Sequence, residues 1–151
     1  MKNRINIGQA EPEAYKAMFG IEKYLQTIRL TPIQKELIKI RASQINGCAY
    51  CINMHTRDAR KLGETEQRIY LLNAWRETDL YTAEERSILA LTEEVTQLSH
   101  HGVSDETYDA AAALFDEQTL AQIIMAIVAI NAWNRIGVST RLQPVADKVA
   151  A

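Results

Sequence analysis

Glycine and proline are scarce in this sequence, and no stretch alternates regularly between apolar and polar residues. Only six of the 151 residues are glycine and three are proline. Strands are normally marked by such alternation between Gly- and Pro-rich turns, so a β-rich fold is disfavoured. The apolar residues instead recur at the three- and four-residue spacing that is typical of helices. The sequence therefore predicts an all-α fold.

A strong excess of either charge is also lacking, which argues against a nucleic-acid-binding protein. The formal net charge is −2, and the few aromatic residues are scattered rather than interleaved with basic ones. Phosphate backbones are bound by basic surfaces, and unpaired bases stack on aromatic platforms. We therefore expect no nucleic-acid partner.

Long hydrophobic runs are missing as well. Residues 1–10 carry basic side chains but no apolar segment follows them, so a secretory signal is not expected. The most apolar run, from Ile123 to Ile130, has eight residues, whereas a membrane-spanning helix needs about 20. We expect a cytoplasmic protein with no membrane partner.

The chain contains no linker or low-complexity segment, so we predict a single domain over residues 1–151. The predicted helix from Glu117 to Ser139 is apolar on most sides, as is typical of a helix in a core or a subunit interface. A small monomer leaves little room to bury such a helix completely. The sequence therefore predicts a homo-oligomer.

Two helix starts carry a capping pattern. Thr31-Pro32-Ile33-Gln34 combines an N-cap Thr, a Pro at the first helical position and a Gln that closes a capping box, and Thr82 with Glu85 forms a second box. Asn46-Gly47 is a typical helix end. The predicted helices span about 11–29, 32–46, 48–63, 65–76, 82–99, 104–115 and 117–139.

What the sequence does contain is a short run of reactive residues. Its two cysteines, Cys48 and Cys51, are followed by His55. At positions i, i+3 and i+7 of a helix these side chains share one face, and Cα atoms three residues apart lie about 5 Å apart, within disulfide range. The first helical turn favours a thiolate, and His55, one turn after Cys51, can accept its proton. The pattern predicts a redox-active Cys48–Cys51 pair.

Glu36 on the preceding helix is a candidate fourth member of this site. It lies three residues after Ile33 and four before Ile40, so it borders the apolar stripe of that helix. Partial burial there predicts a raised pKa and a role as proton acceptor for His55 or the thiol. Contact with His55 requires the two helices joined at Asn46-Gly47 to fold back on each other.

Other interpretations of the cysteine pair stay open. Zinc could be bound by Cys48, Cys51 and His55 with Glu36 as fourth ligand, although structural zinc sites usually bring a second Cys/His pair. The two cysteines could also be inert core residues. Haem attachment is excluded because Ile52, rather than His, follows Cys51. A reversible disulfide could equally serve a non-catalytic redox sensor or a disulfide-exchange protein.

Three segments carry a family resemblance. They are residues 31–63, which contain the Glu, Cys, Cys and His described above, Tyr81 to Arg86, and Asn131 to Arg135. Together they resemble the alkylhydroperoxidase D-like branch of the carboxymuconolactone decarboxylase family, and the likeness covers about residues 15–142.

The resemblance implies an all-helical bundle that assembles into trimers or hexamers and acts as an antioxidant thiol peroxidase. It makes Cys51 the attacking thiolate, Cys48 the resolving cysteine, His55 the proton relay and Glu36 the terminal base. A hydroperoxide would oxidise Cys51 to a sulfenic acid, which condenses with Cys48 to form the disulfide. An external dithiol, lipoamide-like or thioredoxin-like, would then reduce it. The resemblance implies no bound cofactor and no metal.

Tyr50 departs from the family pattern, in which the best-known peroxidases have His immediately before the second cysteine. A tyrosine is no base near neutral pH, but its hydroxyl can hydrogen-bond, so Tyr50 is a candidate accessory residue with a bearing on turnover. The decarboxylase members act on a lactone without paired cysteines, so the intact pair argues against lactone decarboxylation.

Polar residues also interrupt the apolar helix near the C-terminus. Asn131, Asn134 and Arg135 need hydrogen-bond partners there. We expect a buried polar network or a subunit contact, and we place Trp75 and Trp133 in the core or an interface.

Overall fold

A computed structural model describes residues 4–146 of the chain, and all regular secondary structure in that range is helical, which confirms the predicted class. A short 3-10 helix, Leu72–Glu77, lies between α5 and α6. The α-helices are α1 (Ile7–Ala10), α2 (Pro12–Leu25), α3 (Pro32–Asn46), α4 (Ala49–Lys61), α5 (Glu66–Tyr70), α6 (Ala83–Thr96), α7 (Leu98–His101), α8 (Asp105–Leu114) and α9 (Glu117–Thr140).

The ends of α3 follow from local sequence, and both predicted signals are confirmed. The Thr31 hydroxyl accepts from the Gln34 backbone N–H at 3.1 Å, and the Gln34 side chain accepts from the Thr31 N–H at 3.0 Å. Gly47 ends the helix with φ of +66°, a left-handed conformation that favours glycine. Thr82 and Glu85 form the same reciprocal box at the start of α6.

The predicted helix over residues 65–76 is wrong as a single element. It divides into α5 and the 3-10 helix, and Ala74 has non-helical φ and ψ. The guanidinium of Arg86 on α6 donates to the carbonyls of Trp75 and Thr78 at 3.0 and 2.8 Å. These carbonyls are bound by a side chain distant in sequence, so the segment has no need to continue as an α-helix.

Two other predicted helices are shorter than expected. Residues after Leu25 leave α2 because Ile28 and Leu30 are both buried, and the Arg29 N–H between them donates to Gln122 of α9 at 2.9 Å. The helix predicted over 82–99 ends at Thr96, and α7 follows as a separate short turn.

The core lies around α3, which packs against α4, α6 and α9. One apolar cluster contains both cysteines together with residues of α3, α6 and α9. A second cluster holds Trp75 and Tyr81 beside Leu37 and Ile40 of α3. The core position predicted for Trp75 is thereby confirmed.

Helix α9 is long and apolar enough to cross a membrane by length and composition, but half of its apolar window is buried inside the fold. Core helices of soluble proteins meet the same criterion, so the feature by itself is weak support for a membrane span. Met125, Val128 and Val138 on its outer side are exposed in the single chain. The homo-oligomer stays a prediction.

Candidate functional site

Helix α4 carries the two cysteines and the histidine on its inward side. Cys48 is the N-cap residue, with extended φ and ψ of −86° and 92°, and Cys51 lies in the first turn. His55 follows one turn later. All three side chains are buried, at 2%, 3% and 7% exposure, and both cysteines are free thiols.

Glu36 reaches this group because α3 and α4 fold back on each other at Gly47. Its Oε2 lies 2.8 Å from Nδ1 of His55, and both side chains are buried. A carboxylate only accepts hydrogen bonds, so Nδ1 is the donor and, in the neutral ring, Nε2 is left as the acceptor. Lys39 donates to the other carboxylate oxygen at 3.1 Å. The structure thus supplies the contact that the sequence left open.

The expectation of a raised pKa for Glu36 is wrong. Burial does raise the pKa of this carboxyl, but the hydrogen bond and charge of His55 together with the Lys39 ammonium outweigh it and lower the pKa below 4.5. Glu36 therefore stays ionised at neutral pH, which suits it to hold and stabilise the imidazole rather than to keep a proton.

The expectation that the helix start favours a Cys51 thiolate is also wrong for this arrangement. Burial, and then the adjacent Cys48 thiol, raise the pKa of Cys51 from 9.0 to about 12. Hydrogen bonds from Asn134 and Ser43 lower the pKa but do not compensate. Burial removes water from around the sulfur, and this raises the free energy of the thiolate more than the first turn of α4 lowers it.

Those hydrogen bonds belong to a buried network between α3 and α9. The Asn46 amide nitrogen donates to Oδ1 of both Asn131 and Asn134 at 2.9 Å. Asn134 in turn donates to the Ser43 hydroxyl at 2.9 Å, and Asn131 donates to Thr96 at 3.0 Å. The predicted buried network is confirmed for Asn131 and Asn134, and it lies directly beside the Cys51 thiol. Arg135 is exposed and donates to the Asn131 carbonyl at 2.9 Å.

Gly137 of α9 lies against both sulfur atoms. A Cβ atom at this position would lie 2.9 Å from the Cys48 Sγ and 3.7 Å from the Cys51 Sγ. The absence of a side chain therefore lets α9 cover the thiol pair closely. Sequence reasoning missed this residue, because a glycine inside a helix gives no sign of what it packs against.

Cys51 and His55 line a cavity of about 400 Å³. Its apolar wall is formed by Tyr15, Phe19, Tyr50, Met54, Trp133 and Leu142. Tyr50 thus lies beside the thiol, as its place in the sequence suggests. The sequence placed Tyr15 and Phe19 only within the first predicted helix, residues 11–29, and Trp133 in the core or an interface.

The zinc interpretation is contradicted by this geometry. Among residues 4–146, the donor atoms close enough to share an ion are those of Glu36, His55 and Asp58, and neither cysteine belongs to that group. Its carboxylates already carry lysine partners, Lys39 at 3.1 Å from Glu36 and Lys61 at 2.7 Å from Asp58.

Comparison with known sequences identifies both a family and a relative of this chain. The model of the carboxymuconolactone decarboxylase family matches residues 12–94. Uncharacterized protein YdfG of Bacillus subtilis (strain 168) is 45% identical over 139 residues, which are 92% of this chain and 95% of that protein.

Solved structures share the fold. A protein of unknown function from Agrobacterium tumefaciens, described as a candidate antioxidant defence protein AhpD, is 42% identical, with a TM-score of 0.93 over 97% of this chain and 100% of that one. A variant of the debrominase Bmp8 in complex with 2,3,4-tribromopyrrole is 20% identical, with a TM-score of 0.82 over 91% of this chain and 74% of that one. A peroxidase-related protein from Silicibacter sp. TM1040 is 22% identical, with a TM-score of 0.78 over 90% of this chain and 72% of that one. The last two likenesses concern the fold alone.

Proposed function

This chain belongs to the alkylhydroperoxidase D-like branch of the carboxymuconolactone decarboxylase family, and we propose that it is a thiol-dependent peroxidase. The family and the 42% identical Agrobacterium tumefaciens protein, described as a candidate antioxidant defence protein, support an antioxidant enzyme. The observation that carries the finer proposal is the pair of interacting free thiols beside a cavity that also contains His55.

The proposed reaction consumes one hydroperoxide and two thiols. His55 Nε2 takes the proton of Cys51, whose sulfur attacks the terminal oxygen of ROOH and breaks the O–O bond. The leaving alkoxide takes the proton from His55 as ROH, and Cys51 becomes a sulfenic acid. Cys48 attacks that sulfur, releases water and closes the disulfide. A dithiol of the lipoamide or thioredoxin class returns both thiols by exchange.

Glu36 acts in this scheme through His55. Its ionised carboxylate accepts the Nδ1–H at 2.8 Å, which keeps Nε2 free for the proton of Cys51 and stabilises the imidazolium that forms. The lowered pKa of Glu36 supports this role over that of terminal base. Proton transfer is therefore proposed to end at His55 and return to the product alcohol.

The test is steady consumption of an organic hydroperoxide with a dithiol reductant. We expect Cys51→Ser to abolish turnover, and Cys48→Ser to stop after one equivalent with a sulfenic acid that dimedone traps. We expect His55→Gln to slow turnover, by about 10²-fold or more for loss of a general base. His101→Gln is the matched control, since His101 is an exposed histidine outside the cavity. Equal rates for the two histidine variants would contradict the relay.

A redox sensor is the second candidate, because the two adjacent free thiols could close a Cys48–Cys51 disulfide once without catalytic turnover. The raised pKa of Cys51 leaves little thiolate at neutral pH, so oxidation of the free protein would be slow in either role. One stoichiometric oxidation to the Cys48–Cys51 disulfide, without turnover in any reductant, would favour the sensor over the enzyme.

A further inference from the structure

The cavity beside Cys51 has a preformed aromatic wall. The rings of Tyr15 and Phe19, both on α2, meet Trp133 of α9 with centroids 5.4 and 5.5 Å away. Tyr15 and Phe19 also contact each other edge to face, with centroids 6.0 Å apart and an interplanar angle of 71°. Edge-to-face packing holds each ring by its neighbours, so the wall is present before any ligand binds.

The polar end of Trp133 is already satisfied. Its indole N–H donates to the Glu22 carboxylate at 2.9 Å, which fixes the ring and leaves its apolar surface for contact. Glu22 also lines the cavity, and among the described lining residues there is no lysine or arginine. A carboxylate without a basic counterpart disfavours anionic ligands.

The thiol and the aromatic wall belong to the same cavity. Its volume of about 400 Å³ lies within the range of about 300–1,000 Å³ that small-molecule sites occupy. Hydrogen peroxide would leave most of this space unfilled. An aromatic ring seated on the wall would fill it while a peroxide group on the same molecule reaches Cys51.

We propose that this cavity binds uncharged aromatic hydroperoxides, with the ring against Tyr15, Phe19 and Trp133 and the peroxide group toward Cys51 and His55. The proposal rests on the peroxidase function and specifies its substrate class. The chemistry is unchanged: the O–O bond of the aryl-alkyl hydroperoxide breaks, the alcohol and water leave, and the two thiols become the disulfide.

The first experiment compares kcat/KM among peroxides. We expect cumene hydroperoxide to exceed both tert-butyl hydroperoxide and hydrogen peroxide by about tenfold or more, the scale of one aromatic contact plus its buried area. A cumene hydroperoxide with a para carboxylate should lose that advantage because of Glu22. Equal values for the four peroxides would overturn the proposal.

Phe19→Ala is the variant that isolates the wall. Phe19 is 58% exposed, so its truncation removes ring contact to the ligand at little cost to folding. It should lower kcat/KM about fivefold more for cumene hydroperoxide than for hydrogen peroxide. Tyr24→Ala is the matched control, an aromatic residue of the same helix that is 42% exposed and lies outside the lining. Equal loss for every peroxide in Phe19→Ala would overturn the proposal but not the peroxidase function.

A binding measurement separates this proposal from the reaction itself. Ligand-observed NMR with 2-phenyl-2-propanol, the alcohol product of cumene hydroperoxide, should detect binding that Phe19→Ala weakens and tert-butanol does not reproduce. Binding in an enzyme that consumes no peroxide would retain the aromatic site and refute the peroxidase. No binding, or equal binding of the two alcohols, would refute the site.

Discussion

Gly137 offers a sharp test of how tightly α9 covers the thiol pair. A Cβ at this position would lie 2.9 Å from the Cys48 Sγ. Non-bonded heavy atoms prefer about 3.5–4.0 Å, so Gly137→Ala places the two atoms at least about 0.6 Å too close. Cys48 is buried, so its sulfur has little free space to move into.

The expected cost follows from two opposing effects. Alanine is favoured over glycine in a helix interior by about 1 kcal/mol. Overpacking a buried site costs about 1–3 kcal/mol. Gly20→Ala is the matched control, because Gly20 lies in α2 and an added Cβ there meets nothing within 4 Å. We expect the Gly20 variant to be stabilised and the Gly137 variant to fall about 1–3 kcal/mol below it.

Urea unfolding under reducing conditions measures both variants. A double-mutant cycle with Cys48→Ala then identifies the clashing atom, because removal of Sγ should abolish the penalty at position 137 and yield a coupling of about 1–3 kcal/mol. Oxidation to the disulfide should also slow in Gly137→Ala, since the sulfur is displaced. If Gly137→Ala is as stabilising as Gly20→Ala and oxidises at the native rate, the close packing inferred here is refuted.

Three further predictions concern the ionisable groups of the site. Burial raises the pKa of Cys51 to about 12 in the folded protein, against 9.0 in the unfolded chain. As the pH rises above 9 the unfolded chain ionises first, so the free energy of unfolding falls. Cys51→Ser should remove this loss, which is about 2 kcal/mol near pH 10.5 in urea titrations. Burial raises the pKa of Glu36, but His55 and Lys39 outweigh this effect and bring the pKa below the unfolded value of 4.5. The stabilisation of the fold by ionised Glu36 is therefore present above pH 4.5 and is lost in acid. Glu36→Gln should flatten the acid limb of stability. Ser43→Ala should raise the pKa of Cys51 further and slow its alkylation by iodoacetamide about tenfold at fixed pH, the effect of one hydrogen bond to a charged group.

Each of these three predictions would be contradicted by a specific result. Alkaline destabilisation that persists in Cys51→Ser would assign it to Tyr81, whose pKa burial also raises to about 12. An acid limb unchanged in Glu36→Gln would show that the His55 contact contributes no folding free energy. An alkylation rate unchanged in Ser43→Ala would remove the Ser43 hydroxyl from the thiol site.

The boundaries of α3 and α6 could be predicted because their determinants are local. The Thr31–Gln34 and Thr82–Glu85 boxes bond residues three apart, and Gly47 relieves the strain of its own backbone. The break after α5 could not be predicted in this way. It depends on Arg86, which reaches carbonyls 8 and 11 residues earlier from a different helix.

In the candidate site, too, some features follow from local sequence and others depend on tertiary packing. Helical spacing places Cys51 and His55 on one face of α4, since only the period of a helix is needed. Cys48 is the N-cap with extended φ and ψ, so the period of the helix does not place it. The 2.8 Å contact of Glu36 with His55 depends on how α3 packs against α4. The pKa directions expected for Glu36 and Cys51 were wrong, because sequence shows neither the water lost on burial nor the charges brought close by packing.

The sequence by itself determined the helical class, the caps and the thiol motif, because each depends on residues within about two helical turns. Tertiary structure alone decided what surrounds that motif. It brings Ser43, Asn134 and Gly137 against the sulfurs and sets Tyr15, Phe19 and Trp133 around the cavity. These residues come from three different helices, and solvation, packing and charge at a site are set by distance in space rather than along the chain.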